Sequence, residues 1–401
     1  MSTQPKQDAV RSDSKPAGQA SFWQLFAYPF RIFFMSLAVV ALVVVPLWVG
    51  VVTGAFSLPL ALPGVFWHQH EMIFGFLSAA IAGFLLTAVC VWTQTERTHG
   101  IRLLMLWLVW LGGRLLLLLG ADLPDWLVHG VNLAFLPLVM LDAGWRVWHA
   151  RQHRQLMLLV VLGLLWVMQV GFVIRLEQVF IHGALVMSLA LISIVGGRIT
   201  PAFTISWLRQ RGGDADAVQI RPRLDKLVLA TMVALLVAVV LELVLVAGVL
   251  AAIGALLTLV RLAGWKGWLA RQEPLLWILH LSILWVPVAL ALLAGVKLLD
   301  WPATAWAHAA GTGAIGSLIL GVIARVSLGH SGRPMVLPGG MVLAFVLIQA
   351  AALIRVLTAL EILPWAGGVH LSTVLWIIAY GIFAVRYFKV LASPRADGRP
   401  G

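Results

Sequence analysis

Between Phe30 and Phe388 the chain is cut into twelve apolar stretches, each of the roughly 20 residues that a bilayer crossing needs, and this leaves it few ways to fold. The stretches lie near residues 30–52, 71–93, 101–120, 125–147, 156–174, 178–197, 226–242, 245–263, 275–296, 304–324, 336–357 and 369–388. In lipid each must satisfy its own backbone hydrogen bonds, which makes it a helix. The longest apolar run, Leu227 to Val260, is divided at Glu242 because one helix of that length would overshoot the membrane. An all-α, twelve-span membrane domain over residues 22–392 is therefore expected, flanked by polar tails at 1–21 and 393–401. Residues 1–21 contain no apolar run of signal-peptide length. With 61% hydrophobic and 11% charged residues, a soluble globular protein is excluded.

The formal net charge of +12 would suggest nucleic acid as the partner of a soluble chain. Here the positive charges stand in short loops between apolar spans, where they report topology, and the partner they imply is the bilayer. Of the 28 Lys and Arg residues, all but Arg114, Arg175, Lys297 and Arg355 fall in the tails or in alternate loops on one side. Both termini are accordingly placed in the cytoplasm. Even-numbered helices then start at the outer face.

That orientation assigns a depth to the histidines. His68 and His70 open helix 2, His129 helix 4, His182 helix 6, His308 helix 10 and His370 helix 12, so that six of the 11 histidines occupy the outer third of even helices. Ionisable groups at that depth are costly and mark function, and a shared polar or metal-binding layer is the expectation. About 100° per helical residue puts His68 and His70 on nearly opposite faces, so they address two different centres. The single cysteine, Cys90, rules out an intrachain disulfide and thioether attachment of a haem.

The sequence also repeats. The run from Leu141 to Arg151 ends helix 4 and that from Arg261 to Arg271 ends helix 8, and both carry Gly-Trp-basic-x-Trp. His182 precedes Arg198 much as His308 precedes Arg325. Three four-helix units around a pseudo-threefold axis would bring helices 2, 6 and 10 together. Small residues line two of these helices, Gly75, Ala79 and Gly83 on one and Ala309, Ala310, Gly311, Gly313 and Gly316 on the other, as close approach of a helix or a flat macrocycle requires.

Several longer motifs resemble the NnrS family. They are Tyr28-Pro29-Phe30-Arg31-Ile32-Phe33-Phe34, the stretch from Trp67 to Gly75, Ala79 to Val89, Gly196-Gly197-Arg198-Ile199-Thr200-Pro201, and His308 with Ala324 to Arg333. The resemblance implies a bacterial inner-membrane protein containing haem and copper, linked to nitric oxide and to protection from nitrosative stress. It carries over His68, His70, Glu71, Arg198, His308, Arg325 and His330 as motif positions. At fold level the twelve spans and outer histidines are also similar to the catalytic subunit of haem-copper oxidases. Against that, helix 7 has no histidine pair, and none of Tyr28, Tyr380 and Tyr387 stands beside a candidate ligand.

Two function classes follow. In the first the chain is a haem protein that binds or turns over nitric oxide. A haem of the b type, with copper as a second metal, would be held among His68, His70, His182 and His308. Glu71 would orient an imidazole, Arg114 and Arg355 would meet propionates, His129 and His370 would be further metal candidates, and an external electron donor would be needed. In the second it is a twelve-span transporter in which buried His and Glu relay protons.

Overall fold

The computed structural model describes residues 20–152 and 155–399, so most of the polar N-terminal tail lies outside the described residues. The chain is a bundle of helices: α1 Pro29–Val52, α2 Gly64–Thr93, α3 Gly100–Leu119, α4 Asp125–His149, α5 Leu156–Arg175, α6 Gln178–Gln210, α7 Pro222–Val240, α8 Val244–Trp265, α9 Pro274–Leu298, α10 Ala305–His330, α11 Met341–Ala359 and α12 Trp365–Ala392. Among the described residues there is no strand. Eleven of the helices are long and apolar enough to cross a membrane. The remaining one, α7, carries Arg223, Asp225 and Lys226 in its first turns, and its uncharged remainder is shorter than a crossing needs.

Local chemistry sets the breaks. Proline opens α1, α7 and α9, where its missing N–H has no helical partner to lose. The break between α7 and α8 falls at Glu242, which adopts φ 54° while Leu243 N–H closes the turn on Ala238 O at 2.8 Å. Several expected bounds move outward. α2 begins at Gly64, which puts His68 and His70 inside the helix, and α6 continues to Gln210.

Burial separates the helices into an inner and an outer set. The most apolar stretch of α2 is 83% buried and that of α10 is 72%, against 33% for α3, α4 and α5. α2, α6 and α10 touch one another, as the outer-third histidines led us to expect, while sequential neighbours form the surround and α12 packs against α1 to close it. Arg31 pins this closure by donating to the carbonyls of Leu391 at 2.6 Å and Ser393 at 2.7 Å, and Ser21 N–H reaches Ala392 O. Both described chain ends therefore meet at one end of the bundle, here the terminal end. Starts of even helices lie at the opposite, distal end.

Candidate functional site

Four helices bring five polar side chains together near the distal end, all of them buried: His70 and Glu71 from α2, Arg114 from α3, Asn132 from α4 and Gln169 from α5. His70 lies six residues into α2, Arg114 five from the end of α3, Asn132 seven into α4 and Gln169 six from the end of α5. At 1.5 Å per residue these offsets put all of them about 8–10 Å from the helix ends, at one depth. Glu71 bridges the group, with Oε1 3.3 Å from His70 Nδ1 and Oε2 2.9 Å from Arg114 Nε. Arg114 Nη2 donates to Asn132 Oδ1 at 2.5 Å and Nη1 to Phe74 O at 3.2 Å.

These contacts decide the state of His70. A guanidinium only donates, so Asn132 must present Oδ1 to Arg114 and Nδ2 to the imidazole. Nδ2 lies 2.9 Å from His70 Nε2, and Gln169 Nε2 stands 3.3 Å from the same atom. His70 Nε2 is therefore an acceptor and Nδ1–H donates to Glu71. Both ring nitrogens are hydrogen-bonded within the protein, at a residue the sequence offered as a ligand. Arg114 is likewise committed to Glu71, Asn132 and Phe74 rather than free for a propionate.

Backbone geometry makes room for this network. Immediately after His70, residues Glu71–Leu77 form a π-helical segment, a local widening common at functional sites. Two of its carbonyls accept from outside α2: Phe74 O from Arg114, and Gly75 O from Trp110 Nε1 at 3.1 Å. A Cβ on Gly75 would lie 2.9 Å from Glu71 Oε2 and 3.1 Å from Arg114 Cδ, so glycine is what admits the ion pair. Gly113 does the same between α3 and α4, where a Cβ would meet Asn132 Cα at 3.1 Å.

A second cluster lies on the other face of α2, as the 100° rotation per residue requires. His68 stacks on Trp48 of α1 with ring centroids 4.9 Å apart and planes 10° from parallel, and its Nδ1 is buried without a partner. On α10, His308 Nδ1–H donates to Thr304 O at 2.8 Å, which leaves Nε2 as the free nitrogen. The turn that carries His308 packs against α11, the helix of Arg355. Among the described residues no acid pairs with Arg355. A π-helical segment, Ala309–Gly316, again follows the histidine directly, and the two π segments touch. Within it, a Cβ on Gly311 would meet nothing within 4 Å.

The remaining candidates scatter. His182 packs edge-on against Trp306, ring centroids 5.3 Å apart, beside the second cluster. His129 is half-buried on α4 with Nδ1 unpartnered, on the side of the first network. His370 stands exposed on α12, tied to its own Ala366 O at 2.7 Å, so it joins neither group. Arg198 is exposed, Arg325 lies 3.9 Å over the Phe203 ring, and the His330 ring packs on Phe30, all toward the terminal end. Among the described residues, no three of His, Cys, Asp and Glu gather as a metal site needs. Of the six outer histidines, His70 has both ring nitrogens hydrogen-bonded within the protein, His308 has one, and His370 faces outward. Asn132, Gln169, Trp110 and Trp48 went unnoticed in the sequence, although an amide in the outer third of an apolar span is the signal that would have drawn attention to Asn132 and Gln169.

For haem, His68 and His308 present unpaired ring nitrogens from two touching helices, and Arg355 is a guanidinium with no acid partner among the described residues. These residues fit. For copper held by three protein ligands they do not, since no three ligating side chains gather among the described residues.

No curated protein matches the chain. Residues 24–395 match the family model described as NnrS protein.

Proposed function

Because the chain belongs to the NnrS family, we propose that it is a haem-binding protein of the bacterial inner membrane, with both termini in the cytoplasm, that takes up nitric oxide in the response to nitrosative stress. The observation that carries this reading is the pair His68 and His308, whose ring nitrogens are open on touching helices, the turn of His308 packing against the helix of Arg355. The hydrogen bond from His308 Nδ1–H to Thr304 O fixes the ring and makes Nε2 its ligating nitrogen. Trp48 holds His68 by stacking. Arg355 supplies a positive charge for carboxylates. Haem iron, when bound there, supplies a coordination position for nitric oxide.

Protein purified in mild detergent from haem-replete cells should show a Soret band that shifts when nitric oxide is added after reduction. His68→Ala and His308→Ala should each lower haem content. His149→Ala, an exposed histidine tied to its own Trp145 O, should not. Colourless protein, or full haem content in both variants, overturns the reading and favours a transporter that uses the buried His70–Glu71 pair to couple protons.

A further inference from the structure

We infer that a groove between α3 and α4, at the terminal end of the bundle, holds one anionic phospholipid, with an acyl chain along α3 and the phosphate on Arg102. The groove has a volume of about 390 Å³. Ile101, Met105 and Val109 of α3 and Leu138 of α4 line it, and Arg102 and Asp142 stand at its mouth. Residues 101–109 rise about 12 Å along the helix, so the apolar part runs from the helix start into the depth of the span. Ile101, Met105 and Leu138 are exposed large apolar side chains, and on a membrane-spanning helix such a face meets lipid. The groove is separate from both histidine clusters, which lie toward the distal end.

Charge decides which lipid fits. Arg102 is exposed in the first turn of α3 and makes no hydrogen bond or ion pair among the described residues. Asp142, the acid in the lining, is already engaged: Thr98 Oγ1 donates to its Oδ2 at 2.7 Å, and Arg146 Nη2 lies 3.2 Å from its Oδ1. Glu96, in the loop before α3, is held by His99 Nε2 at 2.9 Å. Arg97 donates to Ala27 O and lies over the Tyr28 ring, which ties this loop to the start of α1. Arg97 and Arg102 are thus left without an acid among the described residues, and the mouth is net positive. An anionic headgroup matches it, as basic pockets between membrane helices do generally. A zwitterionic headgroup would bring an ammonium to a place with no free carboxylate. The backbone acts in the same sense, because His99 gives α3 no side-chain cap and its first N–H groups add positive polarity beside Arg102.

The test does not depend on haem or on which side of the membrane the termini lie. Full-length protein, purified in mild detergent and depleted of lipid, is mixed with dioleoyl-phosphatidylglycerol or dioleoyl-phosphatidylcholine, and bound lipid is followed by native mass spectrometry. The first phosphatidylglycerol should bind about fivefold more tightly than phosphatidylcholine, the contribution of one basic residue at a membrane surface. Arg102→Gln should abolish that preference and Arg102→Lys should keep it. Leu138→Trp, which fills the groove, should weaken the first phosphatidylglycerol with Arg102 intact, whereas Arg209→Gln, an exposed cation near the end of α6, should change nothing. A phosphatidylglycerol with a diazirine in its acyl chain should crosslink to residues 101–109, and Leu138→Trp should remove that product. Equal affinity for the two lipids, a preference that survives Arg102→Gln, or crosslinks confined to other helices overturns the proposal. So does competition by glycerol 3-phosphate at the same concentration as the lipid, which would make the mouth a site for soluble anions.

Discussion

Removing either charge of the Glu71–Arg114 pair should cost more than removing both together warrants. Each side chain is under 10% exposed, and the ions are 2.9 Å apart. Arg114→Met leaves the Glu71 carboxylate buried beside an apolar chain and strips the donor from Asn132 Oδ1 and Phe74 O. Breaking a buried pair from one side costs about 3–5 kcal/mol. Glu71→Gln keeps the shape but leaves a guanidinium without its counter-charge, and a loss of about 3 kcal/mol is expected. In the double variant no unpaired charge remains, and the residual loss comes from orphaned acceptors at about 1–3 kcal/mol. The coupling energy, the double loss less the two single losses, should therefore be about 3–7 kcal/mol in size. Reversible unfolding in mixed micelles, followed by tryptophan fluorescence, measures the four corners of the cycle. Losses that add within about 0.5 kcal/mol would show that the two groups act independently and refute the argument.

Gly75→Ala should cost about 1–3 kcal/mol by pushing a Cβ into the same pair, whereas Gly130→Ala, where a Cβ meets nothing within 4 Å, should stay within about 0.5 kcal/mol in the same assay. At the terminal end, the segment after α12 lies over α10, with Ala396 N–H on Ser331 O and Arg395 on His330 O. The hydrogen bonds from Arg395 hold the Asp397 carboxyl down to about 2, so its contribution is present above the ordinary carboxylate range and lost only as pH falls from about 3.8 through about 2. Proteolysis of that segment should be unchanged from neutral pH down to the ordinary carboxylate range and rise below it. Asp397→Asn should remove this dependence. Reporter fusions in the loop from Arg209 to Arg223 and at the C-terminus should give the same, cytoplasmic, signal; a periplasmic signal from either contradicts the charge argument.

The unequal legibility of this protein follows from how far each cause acts along the chain. Spans, breaks and the termini meeting at one end are local: a run such as Pro29–Val52 is helical wherever it lies in lipid, and Glu242 interrupts the run from Leu227 to Val260 because the apolar residues on either side exceed one crossing. His68, His70, Glu71 and His308 could be singled out for the same reason, since each is an ionisable group in the outer part of an apolar span. Their roles could not be. Whether His70 is a ligand or a hydrogen-bonded base depends on Asn132 and Gln169, which arrive from helices 62 and 99 residues away. Whether Arg114 is free depends on Glu71 and on a glycine at 75 that lets it approach. The π-helical segments after His70 and His308 have no pattern of their own in the apolar sequence, because a shift of one residue in backbone register is stabilised by what packs against it: Arg114 and Trp110 at the first, Tyr380 on Gly316 O at the second. Composition alone decided that the chain enters a membrane. Only packing between distant helices decided which imidazole keeps a nitrogen open.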